Sequence, residues 1–415
     1  MPTEKVYDII GIGIGPFNLG LAALTEPIKE LSCLFLDQHD SFNWHPGMML
    51  PSARLQVPWY ADLVSLASPC SKFIYMNYLH EKRKQFRFAI TDHAFIKRST
   101  YNDYCRWVCG QLTTLQFGTT CTSIEKENQF YRVKTTKGSY LTQKIVLGTG
   151  TIPFIPDLQQ KENENIFHSS GYLFNKQRIK ELGSITIVGS GQSAAEIFYD
   201  LMQSFTGKLN WFTRSPRFFP MDYSKLTLEM STPDYIDYFY SLPDRKKSEV
   251  LASQDALYKG INQSLINDIY DLLDELDSQS IELCCNCELK KVSDDLTLTF
   301  LHTEKEKTFT HGTSAVILAT GYQAGVPDCM KPLRPYIKLD KEGMYKANRN
   351  YSVDDHNSIF IQNAEQATHG FNASDLSLGP YRNAIILNTI LGYEHFKIEK
   401  NITFQTFGLP ISQRT

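Results

Sequence analysis

Two stretches of this chain begin alike: a short apolar run, a glycine loop, then an apolar helix. Val6-Tyr7-Asp8-Ile9-Ile10 is mostly apolar and is stopped by Gly11. Such runs bounded by glycine read as strands. Leu19 to Leu24 reads as the helix, and Leu34-Phe35-Leu36 as the next strand, ending at Asp37. The pattern restarts at Ile185-Thr186-Ile187-Val188, with Gly189 to Gly191 as the loop, Ala194 to Gln203 as the helix and Leu209 to Thr213 as the following strand. Each is a βαβ start and predicts a parallel sheet. Ile145-Val146-Leu147 and Val316-Ile317-Leu318 are further predicted strands. They run into the glycine turns Gly148-Thr149-Gly150 and Ala319-Thr320-Gly321-Tyr322, which suit chain crossings between two interleaved nucleotide domains. More strands are expected from Ile281 to Leu301.

Helical spacing appears over Phe73 to Lys82, where Phe73, Met76 and Leu79 or His80 share a side. A second helix is expected to open at Thr100, with Asp103 completing a capping box. Leu265, Ile266, Ile269, Leu272, Leu273 and Leu276 form one apolar face, and a last helix falls near Tyr381 to Leu391. Between Phe42 and Cys70 lies a long aromatic loop marked by prolines. From Asp222 to Asp277 the chain turns helical, aromatic and acidic, with 12 Asp+Glu against 5 Lys+Arg, a net of −7.

The whole chain of 415 residues carries 42 Lys+Arg and 45 Asp+Glu, a net charge of −3, which argues against a nucleic-acid partner. Its 42% hydrophobic residues suffice for a sizeable core. No apolar run approaches the roughly eighteen residues of a membrane span. The first apolar run holds Asp8 and leads straight into the glycine loop, so no signal peptide is expected. Nine scattered cysteines suggest a reduced, cytoplasmic protein.

Gly11-Ile12-Gly13-Ile14-Gly15-Pro16 follows a strand and opens a helix. Gly11 permits the turn, Gly13 lets the backbone approach a pyrophosphate, and the helix N-terminus favours the anion. Pro16 stands where a third glycine is usual, and a first helical turn tolerates it. Asp37 is placed to take ribose hydroxyls. Gly189-Ser190-Gly191-Gln192-Ser193-Ala194 repeats the fingerprint, but Arg214 occupies the acid position. A cation there suits a 2′-phosphate and favours NADPH over NADH. Two dinucleotide sites in one chain point to electron transfer from NADPH to a bound flavin, FAD. Cys284-Cys285-Asn286-Cys287 contains a CxxC, but it lies far beyond the second fingerprint. These cysteines read as buried strand residues, and with no histidine nearby and no second pair they offer no metal site.

The runs Asn43-Trp44-His45-Pro46-Gly47-Met48, Leu55-Gln56-Val57-Pro58 and Asp62-Leu63-Val64-Ser65-Leu66 resemble the N-hydroxylating flavin monooxygenases of siderophore biosynthesis: the lysine, ornithine and diamine N-monooxygenases. The likeness continues through Asn77-Tyr78-Leu79, Tyr104 to Trp107, Gly189 to Ala194, Ala319 to Tyr322 and Thr368-His369-Gly370. The FxGxxxHxxx(W/Y) signature of Baeyer–Villiger and sulfur-oxidising relatives is absent. The resemblance implies an α/β fold with two Rossmann-like domains, for FAD and NADPH, and a small helical substrate segment. In residue numbers this gives an FAD domain over 1–170, an NADPH domain over 171–330 with a helical insertion at about 222–280, and a return to the FAD domain over 331–415.

The same resemblance implies that Trp44 and His45 pack beside the flavin and that Gln56 lies close to it. It puts Asn262 near substrate and nicotinamide, His369 near substrate, and Thr320 and Tyr322 at the cofactor. It implies transfer of one oxygen atom of O₂ to a neutral primary amine, in a homodimer or homotetramer. One position departs from the amino-acid hydroxylases. They carry a lysine for the substrate carboxylate directly before Asp-Leu-Val; here that residue is Ala61. A buried carboxylate without a cation is costly, which favours a decarboxylated diamine, cadaverine or putrescine. Lysine, ornithine or histamine as substrate, and an oxidase releasing H₂O₂, stay open at this stage. At Ser314 the family often has aspartate.

Overall fold

The computed structural model describes residues 4–91, 93–158, 163–276, 280–410 and 412. Its first sheet is seven-stranded. Val6–Ile12 lies between Cys33–Leu36 and Gly138–Leu147, parallel to both, and Leu115–Gln116 extends one side. Phe130–Thr135 and Cys121–Glu127 continue antiparallel on the other, and the late strand Ile359–Ile361 also pairs with Gly138–Leu147. The chain thus returns to the first sheet near its end. The helices Pro16–Thr25 and Gly379–Leu391 cover that sheet with Leu19, Ala22, Ile386 and Leu387 in one core.

The second sheet is five-stranded and parallel. Its order is Ile281–Cys284, Lys208–Phe212, Ser184–Val188, Ala315–Leu318, Ile166–His168. Ile166–His168 therefore sits in the second sheet although it precedes the boundary expected at 170. Trp211, 2% exposed, packs between Phe198 at 4.8 Å and Phe218 at 4.3 Å. Burial of one such side chain contributes about 1.5–3 kcal/mol. A three-stranded antiparallel sheet, Cys287–Val292, Thr297–His302 and Lys307–Gly312, caps one face.

The two glycine turns are the crossings between the sheets. Beyond them Ile152–Pro153 and Tyr322–Gln323 pair with each other, antiparallel, as a two-stranded tie.

Three expectations need correction. The helix expected from Thr100 spans Arg98–Cys109, with Lys97 at its N-cap and no side-chain cap. Its start is set by tertiary contacts: the Arg98 N–H donates to the Ala53 carbonyl, and its guanidinium pairs with Glu196. Likewise the helix expected from Phe73 begins at Tyr75, whose N–H donates to the Asp62 carboxylate at 2.7 Å. The helical insertion also divides. Pro233–Ser241 and Asp244–Ala252 build a small aromatic core around Tyr235, Phe239 and Phe371, whereas Gln263–Glu275 packs Ile269 against the second sheet. The end of the expected insertion, at 277–279, lies outside the described residues.

Candidate functional site

Both glycine loops are pressed against the crossing that follows their own sheet. Gly13 has φ +86°, and a Cβ there would stand 2.4 Å from the Gly148 carbonyl oxygen. Gly189 has φ +140°, and its Cβ would stand 2.1 Å from the Ala319 carbonyl oxygen. Only glycine fits either position. Gly11 is excluded from substitution for another reason: its Cβ would meet the Phe35 ring at 2.2 Å. Gly15 caps the first helix with Pro16 at its opening turn, and Gly191 caps the helix Gln192–Met202. Free N–H groups at both helix starts suit phosphate.

Asp37 braces the first loop. Its Oδ2 accepts the Ile14 N–H at 2.7 Å, and Oδ1 accepts the His39 N–H at 2.8 Å. A carboxylate has acceptor sites beyond these, so ribose hydroxyls remain within its capacity. Asn18, fully buried, donates to the Gly13 carbonyl at 2.8 Å and takes a bond from Gln362 Nε2 at 2.6 Å, which ties the loop to the returning C-terminal strand. Arg214 is exposed just past the strand Lys208–Phe212. Ser193 is half-buried in the first turn of the second helix.

Trp44 and His45 are brought together, with ring centroids 4.9 Å apart, and Tyr101 lies 5.3 Å beyond Trp44. The Trp44 N–H is held by Asn102 Oδ1 at 2.9 Å. His45 adopts a left-handed backbone, φ 48°. Its own surface is open, yet desolvation by the surrounding protein, with the Arg98 charge adding, pushes its imidazole down to about 4. An exposed group among dense protein marks a recess. Tyr322 closes one side, 5.9 Å from His45 and 5.0 Å from His168. Thr320 donates to the Phe154 carbonyl across the tie.

Gln56 and Asn262 meet through residues not singled out in the sequence. Gln56 Nε2 donates to the Gly260 carbonyl at 3.1 Å and lies 3.2 Å from Met221 Sδ. The Tyr223 hydroxyl is 3.1 Å from both the Gln56 carbonyl and Asn262 Oδ1, and donates to one at a time. The Asn262 N–H donates to Gln192 Oε1 at 2.8 Å, and Gln192 Nε2 to Glu196 Oε1 at 2.9 Å. Glu196 takes both Arg98 nitrogens, at 3.0 and 3.1 Å. One chain of bonds thus runs from Gln56 to the second glycine loop. The Gln192 side chain gives one donor and one acceptor to this chain.

His369 is not brought to this network. It is 1% exposed, stacked 4.4 Å from Tyr351, with Nδ1 2.9 Å from the Thr368 hydroxyl and Nε2 3.2 Å from the Arg349 carbonyl. Both nitrogens are engaged, which fits packing rather than substrate contact. Ala61 is fully buried on the turn before Asp62, so it contributes an absence of charge, not a contact.

The run Cys284 to Cys287 is only partly a strand. Cys284 ends one, Cys287 starts the next, and Cys285-Asn286 make the turn, with Asn286 at φ 59°. Only Cys287 is buried. Burial pushes the Cys284 thiol up to about 12 and raises the other two, so none is a ready thiolate. Among the described residues no group of three ligands could hold a metal ion, and no helix is long and apolar enough to cross a membrane.

A family profile described as L-lysine 6-monooxygenase/L-ornithine 5-monooxygenase matches residues 5–324. The chain belongs to this family. Within the family it is 46% identical over 422 residues to a putrescine N-hydroxylase of Shewanella oneidensis, covering 98% of this chain and 85% of that protein. It is 31% identical over 418 residues to an L-lysine N6-monooxygenase of Escherichia coli, covering 95% and 97%. The FAD-bound crystal structure of a cadaverine monooxygenase from Erwinia amylovora superposes with a TM-score of 0.95 at 44% identity, covering 98% of this chain and 99% of that one. That family fold includes the two Rossmann-type domains described above.

Buried histidine also predicts a pH dependence. Desolvation, with the charges of Arg349 and Arg382 adding, pushes His369 down to about 3. Between its ordinary value of 6.5 and about 3, the unfolded imidazole binds a proton that the folded one refuses. The contribution is full above pH 6.5 and is lost as pH falls through that window. Buried acids with raised values, such as Glu365, act in the opposite sense. The test is therefore a difference: the loss of melting temperature from pH 7 to pH 4.5 should be smaller in His369→Gln than in the wild type.

Proposed function

We propose that the protein N-hydroxylates one primary amine of an aliphatic diamine, cadaverine or putrescine, with FAD, NADPH and O₂, for hydroxamate siderophore biosynthesis. The observation that carries this reading is the bonded path Gln56–Tyr223–Asn262–Gln192, which ties the turn holding Gln56, in the run that resembles the family, to the second dinucleotide loop. The residues fit the two groups: each loop can lie against its crossing, with the helix N–H groups left free for a phosphate, only because it lacks a Cβ, Asp37 offers ribose acceptors, and Arg214 offers a cation for a 2′-phosphate. Bound FAD supplies the redox and oxygen-activating chemistry. Around it, Trp44 and His45 wall the recess, and His45 stays neutral at physiological pH, adding no charge there. Excluding bulk water protects a reactive oxygen species, and the amine must be unprotonated to attack.

The uncharged Ala61 supports a substrate without a carboxylate, and the higher identity to the putrescine enzyme than to the lysine enzyme agrees. The reading takes the enzyme to work in the cytoplasm as a homodimer or homotetramer, as the family likeness implies. Hydroxylamine formed per NADPH oxidised, across cadaverine, putrescine, lysine, ornithine and histamine, tests it. Diamines should couple NADPH oxidation to product. Preference for lysine or ornithine would sink the diamine reading, and an H₂O₂ yield indifferent to amine would sink the hydroxylase.

A further inference from the structure

Asparagine is among the best residues to open a helix, because its Oδ1 can accept an N–H of the first turn. Asn262 stands at the N-cap of the helix Gln263–Glu275 and makes no such bond. Its Oδ1 takes the Tyr223 hydroxyl at 3.1 Å instead, a proton shared in turn with the Gln56 carbonyl. The helix start is left without a side-chain cap. The amide is therefore held in an orientation that its own helix does not favour.

The rest of Asn262 is fixed. Its N–H goes to Gln192 Oε1 at 2.8 Å, and its carbonyl accepts the Leu265 N–H at 2.9 Å. The residues before it are locked as well. The Ile261 N–H donates to the Phe219 carbonyl at 3.0 Å, and its carbonyl accepts the Met221 N–H at 2.9 Å. A Cβ on Gly260 would stand 2.4 Å from the Met221 nitrogen. This stretch lies against the second glycine loop, where a Cβ on Gly191 would stand 3.6 Å from the Lys259 carbonyl oxygen. The Tyr223 ring is steadied by Phe95, with centroids 5.2 Å apart.

One group is left over. Among the described residues Asn262 Nδ2 has no partner, although the residue is only 7% exposed, and the atom is not sealed from solvent. Its two N–H bonds are spare donors beside the second loop. The chemistry of the reactants decides what they can serve. An ammonium has no lone pair with which to accept. The amine to be oxidised has one, but needs it free to attack. NADPH has acceptors, among them the carboxamide oxygen of its nicotinamide.

We propose that Tyr223 is a positioning residue: its hydroxyl turns the Asn262 amide away from its own helix and so presents Nδ2 to the nicotinamide half of NADPH. The assignment rests on the reading above, in which NADPH occupies the second loop.

The test is titration calorimetry of the FAD-loaded enzyme with two ligands, NADP⁺ and adenosine 2′,5′-bisphosphate. The second keeps the adenine half and the 2′-phosphate and lacks the nicotinamide. Tyr223→Phe should bind NADP⁺ about tenfold more weakly, the worth of one hydrogen bond, and the bisphosphate as tightly as the wild type does. Asn262→Ala should show the same selective loss, and adding Tyr223→Phe to it should cost nothing more, because the phenol acts through the amide. An equal loss on both ligands would show that the loop itself has moved and would overturn the proposal. So would undiminished NADP⁺ affinity in Tyr223→Phe, or losses that simply add in the double variant. Asn262→Asp puts an acceptor where Nδ2 stands and should weaken NADP⁺ at least as much; retained affinity would mean that an oxygen faces outward, and would overturn the assignment. A wild type that binds neither ligand would sink the NADPH reading together with the proposal, whereas an adverse result in the variants alone leaves that reading standing.

Discussion

A Gly13→Ala protein should leave purification without flavin, whereas a Gly189→Ala protein should hold FAD that NADPH reduces only slowly. Both substitutions add a single methyl group, and each drives it into a crossing turn, at 2.4 Å from the Gly148 oxygen or 2.1 Å from the Ala319 oxygen. A non-glycine residue at positive φ costs about 1–3 kcal/mol even before that collision. Relief requires the loop to lift off the crossing, which moves the phosphate-facing N–H groups. The expected loss is on the order of a hundredfold or more in affinity, at about 1.4 kcal/mol per tenfold. Flavin absorbance after reconstitution reads the first variant, and anaerobic stopped-flow reduction the second. Gly343→Ala is the control: its φ is also positive, at +79°, but nothing lies within 4 Å of the added carbon. Retained flavin in Gly13→Ala would separate the loop from the cofactor.

The second large effect concerns Arg98 and Glu196. These side chains are 13% and 2% exposed, and each belongs to a helix of a different sheet. Burial raises the Glu196 carboxyl although the Arg98 charge opposes it, so the acid depends on its partner to stay ionised. Glu196→Ala strands the guanidinium, and should lower unfolding free energy by about 3–5 kcal/mol, out of a typical total of about 5–15. Arg98→Met/Glu196→Met should recover much of this, because the loss comes from the orphaned charge and not from the pair as such. Recovery will be incomplete, since Arg98 also donates to the Met48 carbonyl at 2.6 Å. Urea titration of the single and double variants decides the matter; a double variant as unstable as Glu196→Ala would refute the account.

Both glycine loops, the strands leading into them and the acid or arginine at the following strand ends were legible in the sequence, because backbone geometry at a phosphate tolerates few residue types. The antiparallel strands Cys121–Glu127 and Phe130–Thr135 were not. They carry Lys, Glu and Arg on an exposed face, and only the apolar end of the neighbouring Gly138–Leu147 stood out. Gln56 and Asn262 were singled out through a family likeness. Tyr223, which joins them, gave no signal, being one tyrosine among many in an aromatic segment. Arg98 and Glu196 also escaped notice: a charged residue 98 positions from its partner looks like a surface charge until both are folded. His369 shows the converse. Its motif was conspicuous, but packing between Tyr351 and Tyr240 consumes it.

The antiparallel tie of Ile152–Pro153 with Tyr322–Gln323 limits how the halves can move. A two-ply ribbon flexes easily out of its own plane and resists sliding in it. With Arg98 and Glu196 bonded across the same two halves, even that bend is opposed, so the separation of the two glycine loops is held by the protein's own backbone and side chains.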